Sequence, residues 1–443
     1  MSTSNSSKEE LEAIKEILKA IHRGEKVEEL KKQFRSVVQQ ISPFEIPLIE
    51  QQLIKEGISM EEVLKLCDLH VELFREYLQS IELKNIPKGH PLDLLIKENE
   101  LILKQAEVLG LYASALLKTE DHKQTREYTS SLKNIMLEMR KARLHYRKIQ
   151  MLIFPYLERR GITAVPRVLW SREDQEMIKL RQLFELLQKA ENNADKNIVK
   201  NIANKAIEIA QEASELAFRE NRILFPAVYT LFSEGEWAMI ADIAEELGYV
   251  VDIGNERWKT DAKPILPYEL EVSITPEQVE KLPPEFKSMI ASHNIESDAY
   301  NIKKEEDLDL NTGFLSIEEI EALFRSLPVE ITFANFDNRV KFFTESTFHK
   351  GFVRTKTIIG RKIEYCHPPR LENIVRENVN EIKFSDKAEY KEFWTKMGEK
   401  IIRILVVPVK NQKKELLGIA EIVEDLTEVV NNSEEVKKKI VVL

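Results

Sequence analysis

The stretch HYRKIQMLIFPYLE at residues 145–158 returns in altered form as RENRILFPAVYTL at 219–231. Superposed, Gln150 falls on Asn221, Phe154 on Phe225 and Pro155 on Pro226. Each copy sits in a run with helical apolar spacing, so the pair predicts two equivalent helices of one bundle. Both present a neutral amide from the polar position. Two such helices need partners, and the chain supplies them: four long helical stretches are predicted at about 92–118, 122–159, 171–191 and 195–232. Their links are short or contain Gly and Pro, as in ERRGITAVPRVLW, and a fifth short helix, EGEWAMIADIAEELG, closes the region.

The remaining sequence divides around this bundle. Residues 8–84 predict a small helical domain, in which Ser42 with Glu45 forms a capping-box pattern ahead of an apolar stripe. KNIPKGHP breaks it from the bundle, which occupies 85–250. Residues 251–315, rich in proline and acidic side chains, read as a connector. The period then changes to that of strands. VEITFANFDNRVKFFTE predicts a hairpin turning at Asp337 and Asn338, and KIIRILVVPVK with KELLGIAEIVEDLTE a second one turning at Asn411 and Gln412. Two hairpins around a helical middle give an α+β domain at 316–430 with an antiparallel sheet. The fold class is therefore multidomain: an all-α N-terminal part and a C-terminal α+β domain.

Composition narrows the function. The net charge of −10 is spread as mixed Lys and Glu with no basic stripe, which argues against a nucleic-acid partner. No apolar run approaches the roughly 18 residues of a membrane span, and the N-terminus has no apolar signal core, so a cytoplasmic protein is expected. Cys67 and Cys366 are far apart and lack a CxxC neighbour, and they read as reduced thiols. There is no GxSxG, GxxxxGK, HExxH or kinase signature, so no enzyme activity is expected.

Residues 85–250 resemble a hemerythrin-type, HHE cation-binding domain. The runs SIEEIEALFRSLPVEITFANFDNRVKFFTES, IIGRKIEYCHPPRLENIV and LLGIAEIVEDLTEV resemble the opening, middle and last strand of a PAS domain. With IPLIEQQLIKEGISMEEVLKLCDLHVELFREYL in front, the whole chain resembles a prokaryotic family: a helical domain of unknown function, a hemerythrin-like bundle and a PAS domain. The resemblance implies Glu at the positions of Gln150 and Asn221, and His at those of Asp93 and Leu216. It also implies a di-iron centre of about five imidazoles and two bridging carboxylates. Between 85 and 250 this chain has only His90, His122 and His145.

An amide has the shape of a carboxylate but no charge, so Gln150 and Asn221 bridge cations poorly. A degenerate site without a cofactor is expected. The alternative is a residual iron site from His90, Asp93 and His145, with Glu220 beside the ligand position and turned away by roughly 100°. In the PAS-like part, Phe333, Phe342, Phe352 and Trp394 are the candidates to line a ligand cavity. His367 in CHPP is a candidate haem ligand, although without any CxxCH attachment pattern. The expectation is a cytoplasmic sensory or regulatory protein whose PAS domain binds a small ligand or a protein partner and supports a homodimer. No output domain is expected after residue 430. An iron- or oxygen-binding protein is the alternative.

Overall fold

The structure is a computed structural model that describes residues 75, 83, 85–192, 195–255, 257–270, 297–345, 352–384 and 389–440. The chain divides into two compact units, Met1–Asn301 and Ile302–Leu443. Apart from residues 75 and 83, the predicted N-terminal helical domain lies outside the described residues, as does Cys67. Arg75 donates two hydrogen bonds of 2.7 Å to Glu215 and lies over the Phe218 ring, both on a helix of the bundle.

In the first unit the long helices form as the apolar periodicity predicts. Helix α1 (Pro91–Lys118) is followed by α2 (His122–Met139) and α3 (Ala142–Lys148), which continues through a π-helical turn (Ile149–Ile153) into α4 (Phe154–Arg159). Then come α5 (Ala164–Asn192) and α6 (Lys196–Arg219), a second π turn (Glu220–Leu224), α7 (Phe225–Leu231) and α8 (Glu234–Leu247). The starts are set by capping chemistry. Pro91 opens α1, Asp121 accepts from the Lys123 amide ahead of α2, and Asp195 caps α6 through the Asn197 and Ile198 amides. Ser233 and Glu236 form a capping box on α8. One apolar core runs the length of the bundle, with Leu92, Ile102, Leu109, Leu132, Met136, Phe154, Leu183, Ile209 and Phe225 fully enclosed.

The two π turns fall at equivalent places in the repeat, just before Phe154-Pro155 and Phe225-Pro226. Proline has no amide hydrogen, and its ring collides with the carbonyl four residues back in a regular helix. A wider turn relieves both problems. The amides of Phe154 and Phe225 instead donate to carbonyls five residues back, at Ile149 and Glu220.

In the second unit a short β1 (Leu308–Asp309) pairs with β2 (Phe314–Leu315), and α9 (Ile317–Ser326) starts at a Ser316–Glu319 capping box. The main sheet contains β3 (Val329–Asn335), β4 (Val340–Phe343), β5 (Lys391–Met397), β6 (Lys400–Lys410) and β7 (Leu416–Asp425). All pairings are antiparallel, in the order β4-β3-β7-β6-β5. Both predicted hairpins form, with Asn338 at φ 62° in the first turn. Strand β5 was not among the expected strands: KEFWTKM is charged and half exposed, the usual dress of a guarded edge. Helix α10 (Pro369–Phe384) covers one face, placing Val379 and Ile382 against Ala334, Val340, Ile363 and Ile419. Gly418 in β7 is required by a close approach, since a Cβ there would lie 2.1 Å from the Ala334 carbonyl oxygen of β3.

Candidate functional site

The centre of the bundle is polar. His145 of α3 is fully buried, with Nδ1 2.8 Å from Glu98 of α1 and Nε2 3.0 Å from Glu220 of the second π turn. Lys148, one turn after His145, ion-pairs with the other oxygen of Glu98 and donates to the Gly248 carbonyl at 3.2 Å. Its ammonium also lies 4.7 Å from the centre of the Tyr249 ring. The Val250 amide donates to Glu98 as well, at 2.9 Å. Asn99 donates to Glu220 at 2.8 Å and to the Asn221 carbonyl oxygen at 3.0 Å. On the α5 side, Gln150 donates to Glu173 at 2.6 Å and the Tyr146 hydroxyl to Glu176 at 2.9 Å.

Protonation follows from these partners. Burial opposes charge on His145, but the Glu220 and Glu98 carboxylates outweigh it and raise its pKa to about 9. Glu98 is driven upward by burial, yet His145 and Lys148 bring it below the usual carboxylate value. Glu173 and Glu176 have no cationic contact of their own. Burial raises Glu173 well above its ordinary value, and Glu176 to about 8. At neutral pH the core thus holds an imidazolium at His145 beside a Glu176 carboxyl that keeps its proton. Asn99 Oδ1 and one oxygen each of Glu173, Glu176 and Glu220 have no donor, which marks this as the acid-rich side.

The expected ligand residues are not brought together. His90 caps α1, its Nδ1 accepting from the Leu92 amide at 3.1 Å, and its ring is packed against Trp237, Trp258 and Tyr229. Burial lowers its pKa to about 4, only weakly opposed by Asp93. Asp93 accepts from the Gly89 amide and from Lys97. His145 has both ring nitrogens committed to carboxylates. His122 is exposed at the start of α2, and Leu216 is an apolar core residue. A bridged di-iron centre does not fit this donor set: the core offers one imidazole, amides at two bridging positions, and a lysine in contact with one of its carboxylates. Among the described residues no group of three or more His, Cys, Asp and Glu side chains could hold a metal ion.

Glu220 overturns the helical-wheel expectation. It is fully buried and bound to His145 because the π turn beginning there shifts the phase of the helix.

The PAS-like aromatics also differ from expectation. Strand alternation and register put Phe333, its cross-strand partner Phe342, and Trp394 on the face away from α10. Phe342, Phe352 and Trp394 are 37, 37 and 52% exposed. They do not line an interior cavity. The face toward α10 instead carries Glu330, Thr332 and Glu421, which meet Arg354. His367 contacts the Ile363 carbonyl and Glu421.

Reasoning from sequence missed Glu98, Asn99, Lys148, Glu173 and Glu176. The signal was present in part. Leu169, Glu173, Glu176, Leu180, Leu183 and Leu187 follow one buried stripe, so two carboxyls occupy core positions of it. Glu98 and Asn99 likewise interrupt the stripe of Leu92, Leu95, Ile102 and Ala106.

Comparison with known proteins agrees with this layout. Residues 14–80 match a family of unknown function (DUF438), residues 90–228 the hemerythrin HHE cation binding domain, and residues 320–427 a PAS domain. The chain carries these three domains in that order. Together they indicate a sensory or regulatory protein. The hemerythrin HHE family can bind iron. No curated protein matches the chain. A crystal structure of a C-terminal domain from Streptococcus mutans is 24% identical over 29% of this chain and 99% of its own, with a TM-score of 0.27, too slight a likeness to support the fold. No helix among the described residues is long and apolar enough to cross a membrane.

Proposed function

We propose that this is a non-catalytic regulatory protein in which the hemerythrin-like bundle is a metal-free scaffold and the PAS-like domain binds the signal, a small ligand. The observation that carries this reading is His145 held between Glu98 and Glu220, with Lys148 on the far oxygen of Glu98. In a metal-binding bundle, inward carboxylates are neutralised by cations from solution. Here an imidazolium and an ammonium from the chain itself occupy that role, and the amides Gln150 and Asn221 add hydrogen bonds to it.

Anaerobic reconstitution of the full chain with Fe2+, followed by elemental analysis and a visible spectrum, tests the scaffold reading. The expected result is colourless protein without stoichiometric iron and with an unchanged melting temperature. Stoichiometric iron that disappears in His145→Ala would restore the iron- or oxygen-binding reading.

A second copy of the chain is the proposed partner of the other sheet face. Phe342, Phe333, Ala420 and Val407 form one cross-strand row there, next to Ile331, Ile422 and Leu405. Of these seven side chains only Ala420 is buried. Sedimentation of the full chain should give a dimer that Val407→Glu dissociates, and an unchanged oligomeric state in that variant contradicts the assignment.

A further inference from the structure

The chain leaves α8 at Gly248, whose backbone stands at φ 87° and ψ −178°, a region that only glycine adopts without strain. A Cβ there would meet nothing within 4 Å, so glycine is required for its backbone conformation and not for space. After this bend three consecutive residues bind one buried pair. The Gly248 carbonyl accepts from Lys148 at 3.2 Å, and the centre of the Tyr249 ring lies 4.7 Å from the same nitrogen. The Val250 amide donates to Oε1 of Glu98 at 2.9 Å, the oxygen that also ion-pairs with Lys148. The other oxygen of Glu98 faces His145.

Glu98 is fully buried and Lys148 nearly so. Lys148 and Tyr249 also line a small cavity whose other walls are apolar, Leu94, Leu95, Leu152 and Ala244 among them. An unmatched charge in such surroundings is costly until water reaches it. The strap therefore opens the expected connector at a place where its own bonds and the buried charges share atoms. Further along, the segment is fastened to the bundle by neutral groups. The Trp258 amide donates to the Gly89 carbonyl at 3.3 Å, the Ile265 amide to the Gly235 carbonyl at 3.0 Å, and the Tyr156 hydroxyl to the Ile265 carbonyl at 2.7 Å.

We propose that Gly248–Val250 is a latch coupled to the buried charges of the bundle: it stays seated while Glu98 and Lys148 are paired, and lifting it admits water to His145. The coupling runs in both directions. Loss of the Lys148 charge removes the donor to Gly248 and the cation beside Tyr249, and leaves Glu98 in need of water. Lifting the strap in turn strips the Val250 amide from Glu98 and opens a path to the ring that Glu98 holds. The latch goes beyond the scaffold reading by giving the bundle a moving part at the start of the connector.

Hydrogen exchange in the full chain tests it, read at backbone amides by mass spectrometry and at the His145 ring N–H groups by NMR. In Lys148→Met the peptide spanning 248–255 should exchange about tenfold faster or more, as the loss of one hydrogen bond to a charged group allows in a local opening. Gly248→Ala strains the strap without touching either charge. It should speed the same peptide and also the His145 ring protons, each by about tenfold, while peptides of α6 and of β6 and β7 keep wild-type rates. A merely structural bend would lose protection at 248–255 in Gly248→Ala and leave the His145 ring protons unchanged, and that result overturns the proposal. So does a wild-type rate at 248–255 in Lys148→Met. If Lys148→Met loosens every helix of the bundle, Gly248→Ala decides alone, because its new Cβ meets no other atom. Iron uptake by the wild-type chain would overturn the scaffold reading and leaves both exchange outcomes as stated.

Discussion

The bundle and the PAS-like domain both bury carboxylates, but they neutralise them differently. In the bundle, Glu98 and Glu220 are met by His145, Lys148 and Asn99 from packed helices and by the Val250 amide, and one oxygen of Glu220 has no hydrogen-bond partner. In the PAS-like domain, Arg354 compensates Glu330 and half of Glu421, while Glu364 keeps an unpartnered oxygen and His367 stays 3.9 Å away. The bundle meets its carboxyls with two cations on its own helices, and the PAS-like sheet meets its own with one arginine from a loop.

The largest effect should come from breaking the set of partners around Glu98. Glu98→Leu strands Lys148 and weakens the charge balance of His145 in a fully buried place, and is expected to cost about 3–5 kcal/mol. Chemical denaturation should show this as a lost or much earlier transition of the bundle. In the PAS-like domain Arg354→Met should cost less, about 2 kcal/mol, because Glu421 is partly reached by water. Equal losses in the two variants would dissolve the contrast between the regions.

The pH dependence should also differ. His145 is raised from 6.5 to about 9, so its contribution is complete below pH 6.5 and is lost as pH rises through 9. That is on the order of 3 kcal/mol. Glu176, raised from 4.5 to about 8, adds a loss in the same direction between those values, since the unfolded carboxyl gives up its proton first. His90, lowered to about 4, erodes stability as pH falls from 6.5 to 4. The bundle melting temperature should fall between pH 6.5 and 9, and His145→Phe with Glu98→Gln and Glu220→Gln should flatten that slope.

The smallest effect is a control. Ser233→Ala and Ser316→Ala remove the same capping box from each region, and each should cost about 1 kcal/mol by denaturant titration. Matched values would show that the regions differ in their charge partners rather than in general fragility.

Helix positions were legible because apolar spacing and caps are local. The repeat around Phe154-Pro155 and Phe225-Pro226 correctly indicated equivalent helices. Glu220 was misjudged because a wheel with 3.6 residues per turn has no place for the π turn that those prolines impose. Strand β5 was missed because an edge strand can be polar on both faces. The amides Gln150 and Asn221 were legible as departures from a ligand set, but their partners come from α5 and α1, and no local pattern announces such pairings. The PAS-like aromatics were assigned inward on hydrophobicity alone, whereas register places Phe333, Phe342 and Trp394 on the outer face.

The central claim is that the bundle supplies its own cations. Its most direct test is the 15N NMR titration of the His145 ring in the full chain, assigned by comparison with His145→Gln. The account predicts an imidazolium at pH 7, with both nitrogens protonated, titrating near pH 9. A neutral ring at pH 7, titrating at or below its ordinary value, would contradict it.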